Sequence, residues 1–440
     1  MELLTSQWLQ QHKLWMYNFA EILRSNPETG FYEHKTADLI ASELEMPGIE
    51  VQRGLALTGI KAFAGTAEAP SIALVADMDA LPTAGAPGGV AHSCGHYAQV
   101  TIMLAVFRAL VETGFPDKNH VRVVFLATPA EEYVQLDKRR ELKKEGKITY
   151  LSGKQEMIYL GAFDDIDCAI KYHSMSETSD FPRRTATING ILNGFSAKTA
   201  LFTGKASHAG AAPDQGINAL NAATLAIQAI HAQRETFLDS DHIRIHPIIK
   251  EGGTVVNSVP DRVEVEMYVR GATNKAVIEA SKKVDRALVA GALAIGASVR
   301  IANTPGYQAF HPNKAMGEFL GSAAREFVSE NEIDFHDESF ASDDIGDVAC
   351  LVPTCQLGYG GFSGTIHTAS FLPLDAERAY LEPACIIGRT VELLAGQDGQ
   401  GVAAVKSSFV PQFTKAEYLA MLDASLSENV YAGGIEKLQR

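Results

Sequence analysis

Two short runs, Ser71 to Ala76 and Val121 to Ala127, set the architecture open to this chain. Apart from Ser71 and Arg122 near their starts, both are apolar and lack the alternation of a half-exposed strand, so both faces must be covered. Helical periodicity surrounds them, over Thr36 to Glu45, which begins at an N-cap residue, and over Tyr97 to Thr113. Strands covered on both faces and separated by helices imply an α/β sheet that is mostly parallel. Acidic residues fall just beyond the strands, Asp77 and Asp79 after the first and Glu131 and Glu132 after the second. Open α/β sheets place their ligand sites beyond the carboxyl ends of strands, so chemistry is expected there.

The texture changes near Gly190. Phe195 to Thr203 and Val263 to Val269 alternate, Ile217 to Gln233 and Lys275 to Ala294 have helical spacing, and Ser298 to Ala302 is strand-like. This predicts an α+β domain over 190–305, inserted into a first domain formed by 1–189 and 306–400. Residues 401–440 are expected to be a helical extension, and Met1 to Phe19 a single amphipathic helix. A chain of 440 residues is long enough for this division. The formal net charge of -15 disfavours a nucleic-acid or anionic-membrane partner, since both need basic surface. Five cysteines, odd in number and without framework spacing, point to a reduced, cytoplasmic setting. The N-terminus has neither a signal-peptide core nor a membrane span. One segment, Gln135 to Gln155, is locally basic, with seven Lys or Arg against three Asp or Glu, and is read as a solvated helix or loop.

His92-Ser93-Cys94-Gly95-His96 brings a thiolate and imidazoles together, a set suited to zinc or a similar divalent ion. Asp79 is placed to accept the distal N–H of a ligating histidine and so fix its tautomer. Adjacent Glu131 and Glu132 at a strand end are costly unless a cation or solvent compensates. They also allow a division of labour, with one glutamate on a metal and the other acting as a base toward water. His173 ends a strand-like run, and His367 follows the glycine-rich Gly358-Tyr359-Gly360-Gly361. With Cys94, His96 and Glu132 they make five candidate ligands, about the number two ions need. In the inserted domain, His208 suits a donor role, and Asn257 and Arg270 are further polar candidates.

Taken in order, DMDALP, HSCGH, PAEE, a strand ending in His, GKASHAG, GG...N..PD and GTIHT resemble the co-catalytic metallopeptidases of the aminoacylase and carboxypeptidase type, metallopeptidase family 20. The likeness covers about residues 15 to 395. The Cys-Gly-His form resembles the amidohydrolase branch that contains hippurate, indoleacetyl-amino-acid and aminobenzoyl-glutamate hydrolases. The resemblance implies a zinc-exopeptidase-like catalytic domain carrying an inserted lid and dimerisation domain. It implies two divalent ions, zinc or manganese, on Cys94, His96, Glu132, His173 and His367, with Glu131 as general base and Asp79 in support. His208 would stabilise the oxyanion, reaching in from a partner subunit of a homodimer. Asn257 and Arg270 resemble positions that hold a substrate carboxylate, and Gly360 and Gly361 are candidates on the substrate side. The reaction implied is amide hydrolysis of an N-acyl amino acid or similar small carboxylate. A dipeptidase or carboxypeptidase is the alternative, and a non-catalytic metal-binding homologue a third reading. Three departures stand out: Tyr97 where the branch usually has Asp or Asn, a 41-residue interval from Glu132 to His173, and the tail after 400.

Overall fold

The computed structural model describes residues 4–177, 185–335 and 338–432, which form two compact units. The first comprises Met1–Ile191, His311–Glu338 and Asp344–Thr414; the second comprises Leu192–Phe310, Ser339–Asp343 and Lys415–Arg440.

The first unit is built on a nine-stranded sheet whose four central strands run parallel, in the spatial order Arg122–Thr128, Ser71–Asp77, Cys168–Ser176, Thr354–Ser363. An antiparallel hairpin, Glu50–Leu55 with Gly59–Ala64, extends it beyond Arg122–Thr128. Ala186–Ile188 and Ile333–Asp334 extend it on the other side. Every residue of Ser71–Asp77 and of Arg122–Thr128 is buried, as runs apolar on both faces require. Helix His96–Glu112 packs on this sheet and is buried over most of its circumference, so its sequence is apolar nearly all round. Val100, Leu104 and Phe107 of this helix share one core with Ile72, Leu74, Val123 and Phe125. The N-terminal segment is two helices, Leu4–Gln11 and Lys13–Arg24, rather than one. The break falls at His12, whose backbone leaves helical geometry while its ring stacks on Trp8.

The second unit is a five-stranded antiparallel sheet in the order Arg244–Glu251, Arg262–Gly271, Gly194–Thr203, Ser298–Pro305, Ser427–Tyr431. Two helices, Ala219–Ala232 and Asn274–Ile295, pack on it. Val263, Val265, Met267 and Val269 alternate inward and share a core with Ala223, Ala226, Val284 and Leu288 of the helices. The helices approach so closely that a Cβ on Gly291 would lie 2.5 Å from Ala226 N.

Three details differ from expectation. Arg244–Glu251 is an edge strand that sequence patterning passed over, because Pro247 and an exposed outer face hide the alternation. The tail is not wholly helical. Its helix Gln400–Ser408 belongs to the first unit, whereas Lys415–Ser425 and strand Ser427–Tyr431 belong to the second; residues after 432 lie outside the described residues. The basic segment is only partly solvated, with Lys138, Lys144 and Lys147 exposed but Arg139 and Lys154 buried. No helix among the described residues is long and apolar enough to cross a membrane.

Candidate metal centre

The candidate ligands are delivered by loops beyond the carboxyl ends of the four parallel strands, by the helix that follows one of them, and, for His173, by a strand itself. Asp79 lies two residues past Ser71–Asp77, and Glu131 and Glu132 lie just past Arg122–Thr128. His173 is within Cys168–Ser176, and His367 follows Thr354–Ser363. Cys94 and His96 flank Gly95, which caps helix His96–Glu112 at a φ of +84°. A Cβ at Gly95 would lie 2.7 Å from Ser174 Oγ, so only glycine lets the ligand loop sit this close to the neighbouring strand.

These side chains converge. Cys94, His96 and His173 form one group with ligand atoms within 4.8 Å of one another; Cys94, Glu132 and His367 form a second, and His96, Glu131 and Glu132 a third. Cys94 Sγ is 3.7 Å from His173 Nε2, His367 Nε2 is 3.2 Å from Glu132 Oε1, and His96 Nε2 is 3.7 Å from Glu131 Oε2. The histidines are oriented from behind. His96 Nδ1 lies 2.8 Å from the Asp79 carbonyl oxygen and 3.1 Å from its Oδ1, and His173 Nδ1 lies 2.9 Å from Ser174 O. Donation through Nδ1 leaves each Nε2 lone pair turned toward the cluster. His96 Nε2 is buried and has no hydrogen-bond partner, the condition of a ligand atom.

Electrostatics agree with a cation site. Burial works against a charge on His96, yet the hydrogen bond and charge of Asp79, with Asp77 and Glu132, lift it to about 9. Burial pushes Glu132 up but is outweighed by His367 and His96, which bring it down to about 2. The carboxylates thus favour positive charge at His96, a preference that a divalent ion on the Nε2 lone pair would satisfy in place of a proton. Thiolate, imidazole and carboxylate donors suit zinc and also admit manganese. The residues present therefore fit two divalent ions.

His92 of the same loop is buried and held neutral, its imidazole pushed down to about 3 by burial, His96 and Arg24. Its ring packs on Tyr97, whose hydroxyl is 3.4 Å from that of Tyr380. Tyr97 is thus held by aromatic packing against His92 and Tyr380.

Sequence reasoning missed a layer of buried charge beneath the cluster. Asp77 does not join the ligands. It pairs with Lys171 Nζ at 2.6 Å and with Lys154, which also pairs with Asp344, and all four are fully buried or nearly so. Glu33 accepts from Thr58 Oγ1 at 2.6 Å and from Ala130 N at 2.8 Å, and burial followed by the charge of Asp79 lifts its carboxyl to about 8. Arg139 donates to the carbonyl oxygens of Ala130, Leu151 and Glu132. Glu33, Arg139 and Lys154 lie among polar neighbours that do not distinguish burial from exposure, whereas Asp77 and Lys171 lie in apolar strands, where burial is implied but their pairing is not.

In the second unit, His208 is exposed and its Nδ1 accepts from Gly210 N at 3.2 Å and Ala211 N at 3.0 Å. That places its proton on Nε2, a donor facing outward. Ala209 N donates to Asn257 O at 2.9 Å, so His208 and Asn257 share one end of the sheet. Arg270 stands at the other end, over Phe195 and Tyr268, with Nη1 2.6 Å from Ser342 Oγ. Gly360 and Gly361 are buried against protein: added Cβ atoms would meet Glu177 Oε1 at 2.4 Å and Ala379 N at 2.6 Å. Their missing side chains make room for these neighbours.

Fold and cluster define an α/β protein with a metal-ligating centre at the carboxyl ends of its parallel strands. The chain belongs to Peptidase family M20/M25/M40, which it matches over residues 73–371. An IAA-amino acid hydrolase ILR1-like 2 of Arabidopsis thaliana is 30% identical over 272 residues, covering 59% of this chain and 56% of that protein. The Xaa-Arg dipeptidase of Mus musculus is 31% identical over 320 residues, covering 70% and 65%. The chain thus spans less than two thirds of either relative. A dinuclear metal binding peptidase of family M20 from Bacillus subtilis shares the fold, with a TM-score of 0.66 at 19% identity over 88% of this chain and 99% of that one.

Proposed function

We propose that this protein is a metal-dependent amidohydrolase that cleaves the amide bond of an N-acyl amino acid or a similar small carboxylate. The observation that carries the reading is the pairing of Glu131 with Glu132. One of two adjacent glutamates stands against His367 and Cys94, while the other approaches the buried Nε2 of His96. Cys94, His96, Glu132, His173 and His367 would hold two divalent ions, zinc or manganese. When bound, such ions polarise a carbonyl and lower the pKa of water.

The chain's own residues supply the rest. Glu131 takes the proton of the attacking water and returns it to the departing amine. Asp79 keeps His96 in the tautomer that turns Nε2 inward. His208, with its proton on Nε2, donates to the developing oxyanion. Arg270 holds the substrate carboxylate, together with Asn257, which shares the His208 end of the sheet and so comes with His208 from a second copy.

Separation within the second unit supports a homodimer. His208 follows the strand end at Thr203, which pairs with Arg262, and Arg270 lies eight residues further along the strand. At about 3.3 Å per residue that is roughly 26 Å, too far for both to serve one small substrate from one chain. A second copy supplying His208 resolves this. Buried thiols at Cys168, Cys355 and Cys385, outside any disulfide, favour the cytoplasm. A dipeptidase is the second reading, carried by the likeness to the Xaa-Arg dipeptidase.

The test begins with apo protein reloaded with zinc or manganese and offered a panel of N-acyl amino acids and dipeptides. Glu131→Ala should lower kcat at least ~10³-fold while bound metal, measured by elemental analysis, stays near the wild-type amount. Metal lost with activity retained would sink the assignment of Glu131 as the base.

A further inference from the structure

The backbone that carries Glu131 and Glu132 is tied down at the N–H and C=O of both Ala130 and Glu132. Ala130, at a φ of +52°, gives its N–H to Glu33 Oε1 at 2.8 Å, and Glu132 gives its N–H to Asp79 Oδ2 at 3.0 Å. Both flanking carbonyls are taken by one side chain. Arg139 Nη1 donates to Ala130 O at 3.2 Å and to Leu151 O at 2.6 Å, and its Nη2 donates to Glu132 O. Arg139 is 2% exposed, its guanidinium carbon 5.4 Å from the centre of the Phe31 ring and 5.9 Å from that of Tyr133. A Cβ on Gly30 would come within 2.7 Å of its Nη2, so the pocket is shaped around the guanidinium.

Among the described residues, Arg139 has carbonyl partners and no ion pair. Burying a charge without a counter-ion costs several kcal/mol, so stability is a poor reason for an arginine here. Its planar fork, however, can hold two carbonyls at a fixed spacing, which a lysine cannot. Positive φ at a non-glycine residue is strained and persists only where the surroundings over-determine it.

We propose that Arg139, delivered by the long segment between Glu132 and His173, is a positioning residue for the glutamate pair: by clamping Ala130 O and Glu132 O it holds the strained Ala130 turn and sets where the Glu131 and Glu132 carboxylates point. This rests on the reading of Glu131 as base and Glu132 as ligand. The basic segment thereby has a role in the site, although its exposed lysines do not.

Arg139→Lys and Arg139→Ala, each in the full chain, test it. Zinc affinity of the apo protein is read by competition with a chromophoric chelator, and kcat and KM on the best substrate of the panel. Both variants should bind zinc about 10–100-fold more weakly. Both should lose at least ~10-fold in kcat with KM within about 3-fold, and methylguanidinium should partly restore Arg139→Ala. Wild-type zinc affinity in both variants would overturn the proposal. So would a folded Arg139→Ala that methylguanidinium leaves unimproved, or losses that disappear on cooling in step with a lowered Tm. If Arg139→Ala does not fold, Arg139→Lys carries the decision. A wild-type chain inactive on the whole panel would count against the proposed function, while the zinc titration would still decide the role of Arg139.

Discussion

At Asp79 one carboxylate serves two neighbours, with Oδ1 3.1 Å from His96 Nδ1 and Oδ2 accepting the Glu132 amide at 3.0 Å. It couples His96, at the helix start, to Glu132, just past the neighbouring strand. Asp79→Ala should therefore weaken zinc binding by about 10–100-fold, although no ligand is removed. Chelator competition reads this directly, and unchanged affinity would show that the carbonyl of residue 79 alone orients His96. Cys94, His96, Glu132, His173 and His367 were legible as candidates in the sequence because their types suit a metal and they lie near strand ends, and the structure brings their side chains together. Glu33, Arg139 and Lys154 were not. A charged residue in a polar stretch reads as solvated, and only the packing of distant segments removes the water around it.

Among the elements, the buried parallel strands were the most legible, because their lack of alternation has one structural meaning. The edges were the least. Arg244–Glu251 and Ser427–Tyr431, at the two edges of the second sheet, are mostly exposed, so neither needs a strong apolar pattern. Ser427–Tyr431 covers the ladder edge of Ser298–Pro305, with Val299 paired to Tyr431 and Asn303 to Ser427. Removing the chain from Ser427 onward should uncover that edge while leaving the inward-facing Val299 and Ile301 packed. The expected result is a cooperative unfolding transition at slightly lower temperature together with larger species in size-exclusion chromatography. A truncated protein of unchanged size distribution would show that the strand is not protecting the edge.

For the whole molecule, the distance between His208 and Arg270 gives the sharpest expectation. Mixed dimers of His208→Ala and Arg270→Ala chains contain one site with both residues intact, if His208 crosses from the partner. Co-expressed variants should then recover up to about a quarter of wild-type activity, although each alone is impaired. No recovery in a verified mixed dimer would argue for a site completed within one chain. The sequence by itself determined the covered parallel sheet, the α+β character of the inserted segment and the residue types gathered for metal, since periodicity and donor chemistry are local properties. Only the tertiary structure decided that Asp77 faces two buried lysines while Asp79 faces the ligands. It also decided that Arg139, on helix Leu136–Lys144, is buried and donates to the carbonyls flanking Glu131, and that the tail supplies a strand. These outcomes depend on which distant segments exclude water from a given side chain, and chain order does not encode that locally.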